Sequence, residues 1–238
     1  MNKLPKVVDM ILEQVEMEIN DEWRPPRLPN SFRGSELGDC PRYIQYASQG
    51  YEGERPSPEL GLLFRDGHLH HDALRSLLSR IGRVTNIEYQ GSKSYTVEVD
   101  GETVQFTITC TTDGILNGDY IFDIKSINPF SFKKLSMPYI KENYKGYLYQ
   151  LQAYFDVFDK QLGFNLFKDK AFGALKIFWY KRSPKMFNQI LQKLGRIQLA
   201  NQKGKWIKRP YTKSSTECKR CSMRKHCWGV AQERRTWR

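Results

Sequence analysis

The stretch from Asp113 to Lys125 constrains the fold most, because it carries the pattern of a β-hairpin. Two short apolar segments, Ile115-Leu116 and Tyr120-Ile121-Phe122, flank the turn signal Asn117-Gly118-Asp119. Asn-Gly between apolar flanks is among the strongest short-range hairpin signals. The stretch therefore predicts two antiparallel strands, and any fold of the chain has to accommodate them.

The length of the turn decides whether two carboxylates meet across this hairpin. A two-residue turn at Asn117-Gly118 places Asp113 opposite Phe122, with Asp123 on the other face of the strands. A three-residue loop centred on Gly118 places Asp113 opposite Asp123, with Cβ atoms about 5 Å apart. We predict the three-residue loop, because Asn, Gly and Asp tolerate the left-handed backbone that it needs.

Lys125 follows Asp123 by two residues, so both side chains lie on one face of the second strand. The predicted cluster then holds two acids and one amine. Facing carboxylates repel, and the pKa of one of them rises unless a cation sits between them. Mg²⁺ and Mn²⁺ prefer such oxygen ligands and can activate a water for attack on a phosphate. The alternative is a solvated hairpin with an ordinary turn and a surface lysine.

Composition narrows the class of protein. The chain has 238 residues, of which 39% are apolar, which suits one globular core and argues against disorder. No apolar run reaches membrane-spanning length, and the acid-containing N-terminus lacks a signal-peptide cleavage site. Its apolar residues recur every four positions and predict a short amphipathic helix; they are Val7, Ile11, Val15 and Ile19. We expect a cytoplasmic, reducing environment.

The net charge of +12 is concentrated at the end of the chain. Residues 201–238 hold twelve Lys or Arg against two Glu. Aromatic residues are interleaved with these charges, namely Trp206, Tyr211, Trp228 and Trp237. Basic and aromatic side chains together favour a surface that follows a phosphate backbone and stacks on exposed bases. The alternative is a basic tail that only improves solubility.

Three cysteines lie close together in this tail, in the spacing Cys218-x2-Cys221-x5-Cys227. In a reducing compartment they predict a metal or cluster site rather than disulfides. Cys40 is the natural fourth ligand, since Cys110 falls inside a predicted strand, and His226 is a weaker candidate. The spacing alone does not separate Zn²⁺ from an iron–sulfur cluster. Ligation by Cys40 would join the start of the core to its end and contribute folding energy.

The remaining pattern predicts a mixed sheet flanked by helices. A proline-rich connector spans residues 21–33, and helices are predicted at 59–81, at 143–158 and from Pro184 to about Asn201. Strands are predicted at 85–89, 94–99 and 103–110, with a turn at Asp100-Gly101. The apolar run 171–180 predicts a buried central strand. The first long helix carries His70 and His71, and the second carries Gln150 and Tyr154 one turn apart.

These motifs together resemble the iron–sulfur RecB-like nucleases of the PD-(D/E)xK superfamily, and most closely the CRISPR-associated exonucleases and their phage homologues. The resemblance covers about residues 35–227, and the motifs occur in the family's order. They are Cys40-Pro41-Arg42, Gly67 with His71, Asp113, Asp123 with Lys125, Gln150 with Tyr154, and the cysteine triplet. Thr112 replaces the proline that names the superfamily, Asp123 stands where Glu is frequent, and Cys110 replaces a glycine. His70 leaves open which of the two neighbouring histidines corresponds to the family's ligand.

The resemblance implies an α/β fold with a restriction-endonuclease-like core, in which a central mixed sheet is flanked by helices. It implies three parts: an N-terminal helix and connector (1–33), a nuclease core (34–210) and a basic cysteine-cluster segment (211–238). It further implies a structural [4Fe–4S] cluster held by four cysteines, namely Cys40, Cys218, Cys221 and Cys227.

The resemblance also implies an activity, namely cleavage of DNA ends that depends on Mg²⁺ or Mn²⁺. His71, Asp113, Asp123 and the backbone carbonyl of Ile124 would bind the metal, and Lys125 would position the attacking water. Gln150 and Tyr154 would steady the site or the substrate strand. The expected substrate is DNA with free single-stranded ends, and protein partners in CRISPR adaptation, recombination or replication are implied. The alternative is a non-catalytic DNA-binding or complex-forming subunit that uses the cluster and the basic tail.

Overall fold

The structure is a computed structural model that describes residues 7–21, 28 and 30–230. The helices are α1 (Val7–Asp21), α2 (Pro41–Ser48), α3 (Pro58–Ile81), α4 (Pro129–Lys134), α5 (Met137–Asn143), α6 (Lys145–Val157), α7 (Pro184–Gln202), α8 (Thr216–Lys219) and α9 (Arg224–Trp228). The strands are β1 (Ser31–Arg33), β2 (Val84–Thr85), β3 (Gln90–Val99), β4 (Glu102–Thr111), β5 (Gly114–Leu116), β6 (Tyr120–Ile127), β7 (Leu162–Asp169) and β8 (Leu175–Lys181). A single 3₁₀ turn at Gly34–Glu36 follows β1. Within the described ranges, no helix is long and apolar enough to cross a membrane.

The strands form two mixed sheets rather than the single central sheet that the sequence predicted. One sheet has the order β1-β4-β3, with β1 parallel to β4 and β3 antiparallel to it. The other has the order β2-β5-β6-β7-β8, in which only β6 and β7 run parallel. Helices flank both sheets, so the predicted α/β class is confirmed, with its strands divided between two sheets.

The predicted hairpin is formed by β5 and β6, and its three-residue loop is confirmed. Gly114 pairs with Phe122 and Leu116 with Tyr120, which leaves residues 117–119 as the loop. Asn117 and Gly118 adopt positive φ angles of 54° and 80°, as this loop requires. Continuing the register by one residue places Asp113 opposite Asp123.

Opposite faces of β6 pack against different helices. Phe122 and Ile124 are fully buried against Leu74 and Leu78 of α3. The alternate side chains, Asp123 and Lys125, point to the other face, where α6 lies. This alternation is the ordinary consequence of strand geometry. The polar cluster therefore lies between the sheet and α6, and α3 covers the opposite face of the sheet.

The prediction of a buried central strand is wrong. The run 171–180 is not a central strand: β8 begins at Leu175 and forms the edge of its sheet, with three half-exposed apolar side chains, Leu175, Ile177 and Trp179. The buried strand beside β6 is β7, whose sequence LGFNLFKD is more polar. On α3, Leu74 and Leu78 are buried, whereas Leu77 and Ile81 are exposed.

The N-terminal segment also differs from its prediction. Residues Ser31–Arg33, which were assigned to an irregular connector, form β1 and pair with β4. Residues 22–27 and 29 of that connector lie outside the described residues. The predicted helix is confirmed as α1, and Val15 is buried whereas Ile11 is exposed.

Candidate active site

The carboxylate of Asp113 is held directly before β5 begins. Its Oδ2 accepts a hydrogen bond from the backbone N–H of Ile124 at 2.6 Å, and its Oδ1 lies 3.0 Å from Nδ1 of His71. Gly114, which follows it, has a φ of 157°, and a Cβ there would lie 2.5 Å from the Phe122 ring. The glycine therefore lets the chain pass close over β6 and direct Asp113 at the neighbouring strand.

Asp123 is only 2% exposed and is bonded on both oxygens. Its Oδ1 accepts from Nζ of Lys125 at 3.0 Å, and its Oδ2 accepts from Nδ2 of Asn165 at 2.9 Å. Asn165 lies directly beside it in the parallel β6–β7 ladder. The side-chain oxygen of Asn165 is buried without a hydrogen-bond partner, so this amide contributes to the cluster but is not itself fully satisfied.

Lys125 is tied to α6 through a chain of polar side chains. Besides Asp123, its ammonium group donates to Oε1 of Gln150 at 3.1 Å. Nε2 of Gln150 donates to the hydroxyl of Tyr154 at 2.6 Å, and that hydroxyl donates to the Thr111 carbonyl at 2.5 Å. The predicted pair Gln150 and Tyr154 thus orients Lys125 and joins it to the end of β4.

The two acids respond oppositely to the same cluster. Burial alone would raise the pKa of Asp113, but the hydrogen bond and charge of His71 and the Ile124 N–H bring it below its ordinary value. Burial raises the pKa of Asp123 to about 6, and the charge of Lys125 opposes this rise only in part. At neutral pH the site therefore holds two negative charges. The protein stabilises the charge of Asp113 and destabilises that of Asp123.

The basic group in the cluster stays charged. Burial alone would lower the pKa of Lys125, but the charge of Asp123 beside it raises that pKa on balance. Its Nζ also lies 4.8 Å from the centre of the Tyr147 ring, a distance typical of a cation–π contact. Lys125 is thus an ammonium group held in place from three sides.

The donor set fits a hard divalent cation, although the side chains do not yet enclose one. No group of three His, Cys, Asp or Glu side chains in the described part of the chain is arranged to hold a metal ion. Asp113 and Asp123 nevertheless supply oxygens, His71 supplies a nitrogen, and the mutual repulsion of the acids favours a cation between them. Since N–H and C=O of one residue point to the same edge of a strand, the carbonyl of Ile124 faces the Asp113 side as well.

The structure separates the two neighbouring histidines. His71 contacts Asp113, whereas Nδ1 of His70 lies 2.8 Å from Nζ of Lys168. Burial and the charges of Lys168 and Lys170 lower the pKa of His70. His71 is therefore the histidine that the fold brings to the acidic pair.

Three contacts of this site were missed from the sequence: those of Asn165, Tyr147 and the Thr111 carbonyl. Asn165 lies 42 residues from Asp123 along the chain. Its position becomes predictable only once β7 is recognised as the parallel neighbour of β6. Tyr147 lies on α6 one turn before Leu151, among the aromatic residues that a sequence reading assigns to the core.

The four cysteines of the predicted cluster line one cavity. Cys40 precedes α2 as its N-cap, Cys218 lies in α8, Cys221 follows it, and Cys227 lies in α9. Tyr43, Tyr46, Met223 and Trp228 also line this cavity. Burial, together with the charges of the other three thiols, raises the pKa of Cys221 to about 11. The four thiols thus share one cavity, although no three of them in the described residues are arranged to hold a metal ion.

The other sulfur and imidazole groups lie elsewhere. Cys110 is buried in β4 within the main core, as its strand position predicted. Nε2 of His226 lies 2.7 Å from the Glu52 carbonyl, and its ring packs against Tyr46 and Tyr51. His226 is therefore oriented toward the backbone of the α2–α3 connection.

The described part of the basic tail packs against the cysteine segment. The guanidinium of Arg42 lies 4.6 Å from the Trp206 ring, and that of Arg209 lies 4.3 Å from the Trp228 ring. Arg209 also donates to the Cys227 carbonyl at 2.7 Å. Two of the predicted base-stacking aromatics are thus partly occupied by the protein's own arginines, and Trp237 lies outside the described residues.

Comparison with solved structures places this fold among known ones. The protein SSO0001 matches with a TM-score of 0.58 and 16% identity, over 94% of this chain and 96% of its own. A phage-related exonuclease from Haemophilus somnus 129PT matches with a TM-score of 0.50 and 14% identity, over 72% of this chain and 93% of its own. An alkaline exonuclease from Laribacter hongkongensis gives a TM-score of 0.48 and 13% identity, over 74% and 89%. The chain thus shares its fold with a phage-related exonuclease. No protein-family model and no curated sequence matches it.

Proposed function

We propose that this protein is a Mg²⁺- or Mn²⁺-dependent deoxyribonuclease that acts as an exonuclease on free DNA ends. The observation that carries the proposal is the position of Lys125, whose ammonium group bonds both Asp123 and Gln150 in a buried cluster beside Asp113. A buried, charged and oriented lysine next to two acids is costly to bury, and the stability of the fold does not require it. It is the arrangement expected where charge develops on a phosphate.

The metal would be held by His71, Asp113, Asp123 and the Ile124 carbonyl. Bound there, it would supply an activated water and stabilise charge on the scissile phosphate. The chain's own contribution is to orient both acids. The N–H of Ile124 holds Asp113 and favours its ionised form, whereas Asn165 fixes the position of Asp123 and the charge of Lys125 limits the rise in its pKa.

Lys125 would orient the attacking water and neutralise charge on the phosphate. Gln150 and Tyr154 restrict the rotation of its long side chain, because both link it to the Thr111 carbonyl. Restricting a donor before the reaction lowers the reorganisation that the reaction requires. We therefore assign Lys125, Asp113 and Asp123 as catalytic residues and the two α6 residues as their positioning residues.

We further propose that the four cysteines hold a structural [4Fe–4S] cluster, with Zn²⁺ as the alternative occupant. The shared cavity supports a common ligand for Cys40 and the C-terminal triplet. Ligation would hold the basic tail against α2. Purified protein that is brown and contains iron and sulfide supports the cluster, and colourless protein loaded with zinc refutes it.

The proposed substrate is DNA, with single-stranded ends preferred. The net charge of +12 favours a polyanion, and the structural neighbour from Haemophilus somnus 129PT is described as an exonuclease. Partners from CRISPR adaptation, recombination or replication follow from the resemblance of the motifs. We place the protein's action in the cytoplasm, where its substrate lies.

A second candidate function is a DNA-binding subunit without catalysis. The concentration of positive charge in residues 201–238 favours it. The acidic pair and the oriented Lys125 argue against it, since a surface that only binds phosphate gains nothing from two buried carboxylates.

The test is cleavage of end-labelled linear and circular DNA, single- and double-stranded, with Mg²⁺, Mn²⁺ or chelator. Wild type, Asp123→Ala and Lys125→Ala are compared, with the exposed lysine variant Lys185→Ala as the matched control. We expect wild type and Lys185→Ala to degrade linear DNA only with metal, and both site variants to be inactive while folded. Full activity of either site variant contradicts the proposal. Wild type that binds DNA with metal present but never cuts it supports the binding subunit.

A further inference from the structure

Two phenylalanines stand exposed at the carboxyl ends of the two central parallel strands. Phe130 lies at the start of α4, directly after β6, and is 80% exposed. Phe172 lies in the turn after β7 and is 77% exposed. Water-exposed phenylalanines next to a predicted site gain nothing for stability, and they are typical of binding surfaces.

Lysines flank each of these rings. On α4, residues 130, 133 and 134 share one helix face, so Phe130 is followed by Lys133 and Lys134, both exposed. The opposite face of α4 carries Phe132, which is buried. Lys170 precedes Phe172 by two residues, and Lys168 lies near the end of β7, where its Nζ is 2.8 Å from Nδ1 of His70. Asp66 is the acid that faces this group, and it also acts on His70.

The turn that carries Phe172 is rigidly built. The buried carboxylate of Asp169 accepts hydrogen bonds from the backbone N–H groups of Ala171 and Phe172, at 2.9 and 3.2 Å. The N–H of Lys170 donates to the carbonyl of Ile127, which ties the turn to the end of β6 at 3.0 Å. A buried carboxylate thus fixes the backbone of the turn that carries the exposed Phe172 side chain.

We propose that these residues form a single-stranded-DNA platform next to the catalytic site, which we call the edge platform: Phe130, Lys133, Lys134, Lys168, Lys170 and Phe172. The two rings stack on unpaired bases, and the four lysines contact the phosphates between them. Every base has a π-face, so the platform holds the strand without reading its sequence. The role of the edge platform in cleavage rests on the proposed nuclease function, whereas its binding of a single strand does not.

The distance to the catalytic cluster suits this role. Four residues of β6 separate Asp123 from Ile127, which is roughly 13 Å at about 3.3 Å per residue. A strand stacked at about 3.4 Å per nucleotide covers that distance with roughly four nucleotides. The edge platform would therefore hold the nucleotides beyond the scissile phosphate. A paired strand offers no free base faces, so the platform also accounts for a preference for single-stranded ends.

The test is binding of a fluorescent mixed-sequence single strand in chelator, followed by anisotropy, so that no cleavage interferes. Phe130→Ala and Phe172→Ala are each expected to weaken binding about tenfold, in line with the loss of one stacked base. Lys133→Gln is expected to lower the slope of log K against log salt by about 0.7. Phe130→Trp, which keeps an aromatic ring at this position, is expected to bind the single strand as tightly as wild type does. Ile81→Ala is the matched control, because Ile81 is equally exposed at 77% but lies at the far end of α3.

The outcomes separate this inference from the proposed function. If wild type cuts DNA and the double variant Phe130→Ala/Phe172→Ala binds single strands like Ile81→Ala, the platform is wrong and the nuclease stands. If wild type never cuts but the double variant loses single-strand binding, the platform stands and the nuclease is wrong. Equal weakening of single-strand and blunt-duplex binding by the double variant overturns stacking. Wild type that fails to bind the single strand at all overturns the platform.

Discussion

Replacing Asp123 by Asn is expected to stabilise the metal-free protein while abolishing its activity. Asp123 is almost fully buried, and its pKa is raised from 3.8 to about 6. Between pH 3.8 and about 6, Asp123 is therefore mostly protonated in the folded state and mostly ionised in the unfolded chain. Between these two values the stability of the fold falls as pH rises, and above about pH 6 the full cost of the buried charge is present.

The magnitude follows from the shift in pKa. A difference of about two pKa units at 1.36 kcal/mol each makes the ionised group cost about 3 kcal/mol at pH 7. An amide carries no such charge, and Asn165 can turn to offer its unpaired oxygen to the new NH₂ group. A gain of about 3 kcal/mol corresponds to roughly 6–12 °C in Tm for a chain of this size. Near pH 4 most of the difference should be lost, because Asp123 is then protonated in the folded state and about half protonated in the unfolded chain.

Asp113 supplies the matched control. His71 and the Ile124 N–H stabilise its charge and lower its pKa, so Asp113→Asn should destabilise the metal-free protein at pH 7. The same chemical change thus has opposite signs at two residues that face each other. Thermal melts in chelator at pH 4 and pH 7 measure both, and addition of Mn²⁺ should then stabilise wild type alone. A lower Tm for Asp123→Asn than for wild type at pH 7 in chelator would refute the reasoning.

Three further predictions concern the same elements. The apparent affinity for Mg²⁺ should decline as pH falls through about 6, since metal binding needs Asp123 ionised, and an Mg²⁺ titration of cleavage whose midpoint is unchanged from pH 5 to 8 would contradict this. Tyr154→Phe should lower the free energy of unfolding by about 1–3 kcal/mol in urea melts, because the Thr111 carbonyl loses its partner; a variant equal to wild type would show that this bond contributes nothing. Cys40→Ala should lower the Tm of the whole protein and its iron content together, whereas Cys110→Ala should lower the Tm without loss of iron; unchanged iron in Cys40→Ala would exclude it as a ligand.

The local part of the site was predictable because its determinants are short-range. The loop at residues 117–119 fixes the register through its own backbone preferences, and strand alternation then places Asp123 beside Lys125. Helical spacing likewise brings Gln150 and Tyr154 together. These relations depend on neighbours within a few positions, which a single sequence displays.

The long-range part was not predictable, and β7 and β8 show the reason. Hydrophobicity favoured residues 171–180 as the central strand, yet β7 occupies that position with Asn165, Lys168 and Asp169 in its sequence. Asn165 is buried because it bonds Asp123, and Asp169 because it holds the following turn. A polar residue that is buried for a partner distant in sequence appears, in one sequence, as evidence against burial. For this reason the polar sequence of β7 resembles that of a surface strand.

The three-residue loop between β5 and β6 makes the chain a poor host for insertions at that point. Strand faces alternate with a period of two, so one added or deleted residue would turn Asp113 away from Asp123 and leave the fold otherwise plausible. The other tight hairpin, at Asp100-Gly101, joins β3 and β4, and nothing lies within 4 Å of a side chain added at Gly101. Lengthening the chain in that turn would leave the spacing between Asp113 and Asp123 unchanged, and Gly101 itself, at a φ of 80°, should stay glycine.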